Sequence, residues 1–392
     1  MKKTRCISFH SAPGSIYISL VILFLSGCAT TRHHDGSEKL SALSQPAWSY
    51  HSSQDRFAVA VSPARQTMQF AGTTGILIGS SISAVANARQ RGPIDDLLAG
   101  YDAPGFIEKQ LESQLLSALQ TPATRVEPMP STAGYQDKRD TEREYYRALG
   151  RQNLDGLLKL ETTYGIFGPQ GVMAARIDGE ILTLPSGQTQ WQRSFLATST
   201  SLLFGERLND PTQRLTGDLR SPRLTVADGA IAQWTHDNGE YIKETFEELT
   251  SGVICALLTD LELQITPAGY YFLGVQSLYG NDKEEAWALF LKALELTIPN
   301  EALWGRTQNA MAFLLWNAGQ KDDAYTRLLA ILEHDPQHGA AHFNAAYYLS
   351  EKRVQLDDAA RHYQEALKLG IRRSERIEEA LQNAGISLTS DS

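Results

Sequence analysis

Between residues 267 and 372 the chain repeats one pattern three times, and nothing else in it restricts the available folds so tightly. In the first copy Leu273 and Gly274 precede Ala286, Phe290, Ala293, Leu294 and Leu296. In the second, Met311 and Ala312 precede Ala324, Leu328, Ile331, Leu332 and Pro336; in the third, Ala345 and Ala346 precede Ala359, Tyr363, Ala366, Leu367 and Leu369. The step from Ala286 to Ala324 is 38 residues and that from Ala324 to Ala359 is 35. Apolar residues three and four apart, recurring at this period, describe two antiparallel helices per copy whose apolar faces are buried only when neighbouring copies stack. Asn281-Asp282, Gly319-Gln320 and Lys352-Arg353 supply the turn inside each pair. Asp322-Asp323 and Asp357-Asp358 open the second helices, where carboxylates suit the positive helix end.

This alternation of small and large apolar residues resembles the tetratricopeptide repeat, whose period is about 34 residues. The Trp usual early in the first helix is replaced by Tyr270, Gln308 and His342, and the closing Pro of the first copy falls one place late, at Pro299. The resemblance implies a concave groove, lined by the first helix of each pair, that takes a segment of a partner protein. Counting along the copies puts Tyr271, Val275, Leu278 and Tyr279, then Asn309, Phe313, Trp316 and Asn317, then Phe343 and Tyr347 near that groove. Large apolar side chains there serve as binding anchors or as core, and the sequence leaves both open. Ile377, Leu381 and Ala384, after Ser374, suit a capping helix over 373–392.

The N-terminus reads as an export leader over 1–27. A basic start precedes an apolar run from Ile16 to Leu25 that is short for a membrane span. Leu25-Ser26-Gly27-Cys28 resembles the bacterial lipobox, which implies that Cys28 becomes the acylated, palmitate-bearing first residue of the mature chain. Ala29 at the next position, by resemblance to other lipoproteins, implies an outer-membrane address facing the periplasm. The formal charge of -9 becomes -12 once Lys2, Lys3 and Arg5 leave with the leader, a balance that argues against nucleic acid and against an electrostatic hold on anionic lipid. With Cys6 removed and Cys28 lipidated, Cys255 is left alone in an apolar run, so no intramolecular disulfide forms and an inert thiol is expected.

Residues 28–54 are polar and lack apolar periodicity, as a flexible tether would be, and His33-His34 lacks a third ligand for a metal. An α/β domain is expected over 55–262, giving an α+β fold followed by an all-α repeat array over 263–372. Its elements are a strand from Phe57 to Pro63, a helix carrying Ile107, Leu111, Leu115 and Leu119, a strand near Thr124, and a helix near Thr141 to Gln152. A three-stranded meander follows over Gly156 to Thr198, turning at Pro185-Ser186-Gly187-Gln188. A closing helix, opened by an Asp237-Asn238-Gly239-Glu240 capping box, carries Ile242, Phe246, Leu249, Val253 and Leu257. This element order resembles the small α/β domains of the curli secretion lipoprotein and of the TolB family. The uncharged stretch from Gln66 to Ala88 places Gly75, Gly79 and Ser83 four apart, which suits either membrane insertion or a surface loop and helix.

Chemistry is not written into the chain. No phosphate loop, Gly-x-Ser-x-Gly, His-Glu-x-x-His or paired-Cys motif occurs, and His334, His338 and His342 are divided by Pro336 and Gly339. No catalytic residue, cofactor or metal site is therefore expected. The sequence points to a lipid-anchored periplasmic adaptor that binds another envelope protein, or a peptide segment of it, in assembly, secretion or cell-wall synthesis. One alternative is an oligomeric subunit of an outer-membrane secretion or pore complex, a homo-oligomer formed through the α/β domain; a second is an enzyme whose site in the α/β domain carries no recognisable motif.

Overall fold

The structure is a computed structural model that describes residues 35–52, 57–59, 92–119, 122–129, 135–168, 170–206, 208, 230–235, 237–299 and 301–388. Cys28 and the leader, His33-His34 and the stretch from Gln66 to Ala88 lie outside the described residues.

Six strands form one mixed sheet: β1 (Pro46–Ser52), β2 (Ala58–Val59), β3 (Thr124–Arg125), β4 (Gly156–Phe167), β5 (Val172–Thr183) and β6 (Gln188–Thr198). Their order is β3-β1-β4-β5-β6, with β2 pairing β4 beyond the end of β1. β1 runs parallel to β3 and β4, and β4, β5 and β6 make the antiparallel meander read from the sequence. Strand alternation sends Trp48, Leu158, Leu160, Ile177, Ile181 and Phe195 to one face and Ala47, Leu157 and Leu182 to the other.

The presence of β1 corrects the expected tether over 28–54, since α1 (Asp35–Ser41) and β1 both belong to the folded body. Trp48 and Tyr50 register with Leu158 and Leu160 of β4 and are buried with them, an attraction supplied by a strand far along the chain. α2 (Ala103–Ala118) buries Ala103, Ile107, Leu111 and Leu115, and the carboxylate of Asp102 accepts from the Gly105 N–H at its start. α3 (Tyr135–Gly150) covers the opposite face, where Leu149 joins Ala47, Leu157 and Leu182.

α4 (Glu240–Asp260) joins the two halves of the molecule. The expected Ile242, Phe246, Leu249, Val253 and Leu257 are buried, and so are Ile254, Ala256 and Leu258, because one flank meets β5 and β6 while another meets α5 (Pro267–Tyr279). Its start differs from a capping box: Gly239 takes the N-cap position at φ +85°, and the Asp237 carboxylate accepts from the Tyr241 N–H at 2.8 Å. Gly269 sets the approach of α5, since a Cβ there would come within 2.6 Å of the Cys255 carbonyl oxygen. Burial in this seam pushes the Cys255 thiol pKa up, as expected of an inert cysteine.

The array continues with α6 (Lys283–Glu295), then α7 (Ala302–Asn317) and α8 (Lys321–His334), then α9 (Gly339–Lys352) and α10 (Leu356–Lys368). Each helix packs on the next, and Ala286, Ala324 and Ala359 are fully buried, where their small side chains allow close crossing. α11 (Glu375–Asn383) closes the stack with Ile377 and Leu381. Ala384, also expected in that cap, lies exposed just past the helix end, before the turn at Gly385 (φ +74°).

The described sheet and array belong to one compact unit. Arg193 of β6 reaches Asp260 of α4 at 2.5 Å, and the Gln276 Nε2 of α5 donates to the Ser194 carbonyl at 2.6 Å.

Candidate functional site

The groove formed by α5, α7 and α9 is filled by the chain's own residues. β6 ends at Thr198, whose hydroxyl meets the Tyr279 hydroxyl at 2.9 Å, and the following residues run onto the array. Leu202, Leu203 and Phe204 are buried among Val275, Leu278, Phe313, Trp316, Phe343 and Tyr347.

Two asparagines hold the main chain of this segment. Asn309 Nδ2 donates to the Leu202 carbonyl at 3.1 Å, and Asn344 Nδ2 donates to the same oxygen at 2.9 Å. Asn344 Oδ1 accepts from the Phe204 N–H at 2.7 Å, while its Nδ2 also lies 2.9 Å from Asn309 Oδ1. One carboxamide thus grips residue i through its C=O and residue i+2 through its N–H, groups that an extended main chain turns to the same side. Such a grip reads backbone and is indifferent to side chains. Asn309 is 4% exposed and Asn344 fully buried, so these polar groups have no water to fall back on.

Side-chain recognition is added around this clamp. The Phe204 ring stacks on Trp316 with centroids 4.4 Å apart and planes 15° from parallel. Tyr347 presents its edge to Trp316 at 5.5 Å, and Lys321 sits over the indole at 4.7 Å. The Glu206 N–H donates to the Leu203 carbonyl at 3.4 Å, closing a turn in which Gly205 has φ +79°. Past the turn, Glu206 pairs with Arg372, in the link between α10 and α11. Arg376 lies over the Tyr347 ring at 5.2 Å and 3.6 Å from Glu351. Burial pushes the Tyr347 phenol up, against the opposing pull of Arg376.

Of the residues singled out from sequence, Val275, Leu278, Asn309, Phe313, Trp316, Phe343 and Tyr347 come together around the segment. Tyr271 packs against Phe272 and Phe290, its phenol pushed up by burial, and Tyr279 marks the point where the chain leaves β6. Asn317 does not join them: it is exposed, and its Nδ2 donates to the Phe313 carbonyl of its own helix at 3.0 Å. The reason is its place as the last residue of α7, where carbonyls lack partners within the helix. Asn344, Arg372 and the segment itself were not singled out. The signal for Asn344 was present, since it stands 35 residues after Asn309, one repeat on.

The three histidines four apart take separate local roles. His334 ends α8 beside Trp304, His338 Nδ1 accepts from the Ala341 N–H at 3.1 Å, and His342 Nδ1 lies 2.8 Å from His362 Nδ1.

No family model matches the chain, and no curated protein matches it. Among solved structures it is similar to YrrB, described as a TPR protein with an unusual peptide-binding site, at 20% identity and a TM-score of 0.26. The match covers 40% of this chain and 75% of that one.

Proposed function

We propose that this chain is a lipid-anchored adaptor of the bacterial envelope, which grips a segment of another envelope protein in the groove of its helical array and carries out no catalysis of its own. The clamp supports this reading: Asn309 and Asn344 hold a stretch of main chain, and Trp316 supplies a flat apolar platform beside it. Both devices suit a protein segment, because they pair a backbone C=O and N–H and then bury an apolar side chain. The Leu-Ser-Gly-Cys sequence ending at Cys28 and Ala29 after it support the anchor and its outer-membrane address.

The test has two arms. In a chain whose own segment is released by Leu202→Ala/Phe204→Ala, a further Trp316→Ala should lower capture of crosslinked partners from native envelopes by roughly thirtyfold, the effect of losing an anchor worth ~2 kcal/mol. Capture unchanged by Trp316→Ala in that released, stably folded chain would move the binding surface elsewhere. Cys28→Ala should release the chain from membranes or leave its leader uncut, and labelled palmitate entering that variant would sink the anchor.

A further inference from the structure

We infer that Leu202–Glu206 is a resident stand-in for the partner, so that the groove selects a foreign segment reading apolar, apolar, aromatic, glycine, acid, and admits it by displacing its own copy. The inference rests on the groove being the binding site proposed above, and adds to it the chemistry of the ligand. Each position has a separate physical cause. The first residue is fixed by two amide donors on one carbonyl, with the Leu202 side chain 4% exposed, so a polar side chain there would be desolvated. The second, Leu203, is 3% exposed, and its carbonyl receives the turn hydrogen bond from Glu206.

The third position is an aromatic because its ring lies flat on Trp316, and it is 1% exposed. The fourth is glycine for two independent reasons. Its φ of +79° disfavours any residue with a Cβ, and a Cβ there would overlap the Tyr347 hydroxyl and come within 2.6 Å of the carbon that bears it. The fifth is an acid, because Arg372 receives it and Arg376 stands nearby over Tyr347. A foreign chain is the fitting occupant, since each copy of this protein already has its own segment seated only four residues after β6 ends.

A cis segment on so short a lead acts at an effective concentration on the order of millimolar, so a free peptide competes poorly until the segment is weakened. The probe is therefore a fluorescent peptide with the sequence of residues 199–208, titrated into the purified full chain and into two opened variants. Leu202→Ala/Phe204→Ala removes the anchors, and Gly205→Ala drives the segment off Tyr347 without touching the array. If one variant fails to fold, the other answers through a different contact. Both should bind the peptide at least tenfold more tightly than the wild type. A peptide carrying Gly205→Ala or Phe204→Ala should bind at least tenfold more weakly, and Asn344→Ala in an opened variant should abolish binding.

A folded, opened variant that binds no peptide at all would overturn both the inference and the groove as binding site. Equal binding of scrambled apolar peptides would overturn the pattern while leaving the groove in place. An opened variant that captures the wild-type chain as a dimer in light scattering would give the groove to a second copy, and the foreign partner would be wrong.

Discussion

Asn344→Ala is the sharpest probe of the clamp. The substitution leaves the Phe204 N–H without its acceptor and the Asn309 Oδ1 without its donor, while the Leu202 carbonyl keeps Asn309. Each buried group left unsatisfied is worth about 1–3 kcal/mol, which puts the loss at roughly 2–6 kcal/mol if the segment stays seated. The segment has another course, which is to leave the groove and let water satisfy those groups. Leaving exposes Leu202, Leu203 and Phe204, each worth about 1.5–3 kcal/mol of burial. The loss is therefore capped by the free energy that seats the segment, and the variant should show destabilisation together with local opening. Urea unfolding of the full chain should lose about 2–4 kcal/mol, and hydrogen exchange at the Phe204 amide should quicken by at least a hundredfold. A loss below about 1 kcal/mol with an equally protected Phe204 amide would show that the carboxamide does not hold the segment.

Other contacts give further outcomes. Arg193→Ala removes the ion pair with Asp260, whose side chain is 4% exposed, and should destabilise the chain by about 1–3 kcal/mol in chemical unfolding. An unchanged midpoint would mean that the pair does not join sheet and array. His338 and His362 both have pKa values lowered by burial, and His362 is lowered further by His342 and Arg361. Depressed histidines favour the neutral native state, so their stabilisation is full above the ordinary value of 6.5 and is lost as pH falls below it. The melting temperature should accordingly fall between pH 7.5 and 5.5, and His362→Gln should flatten part of that slope. A parallel slope in the variant would assign it to other groups.

How much of this was legible in the sequence depended on how local each cause is. The helix pairs could be read because Ala286, Ala324 and Ala359, with Phe290, Leu328 and Tyr363 four residues on, carry the packing pattern within each copy. The meander could be read because β4, β5 and β6 follow one another and turn at a Pro-Ser-Gly sequence. β1 was hidden because Ser49, His51 and Ser52 make it look like linker, and its partner β4 lies 110 residues away. α4 showed its sheet-facing stripe but gave no sign that Gly252 and Thr259 would meet a helix. The groove residues were countable from the repeat, whereas its occupant was not. Leu202-Leu203-Phe204 is an ordinary apolar run until its position against Trp316 and Asn344 is known.

One unbroken helix, α4, packs on the sheet with one flank and on the array with another, so the described sheet and array meet through a shared element and not through a linker. A pull on the array would be carried through α5 and α4 into β5 and β6, with Arg193, Asp260 and Gln276 bonded across the junction. A load placed on the groove would therefore be shared with the sheet, as in a bracket whose two arms have one root.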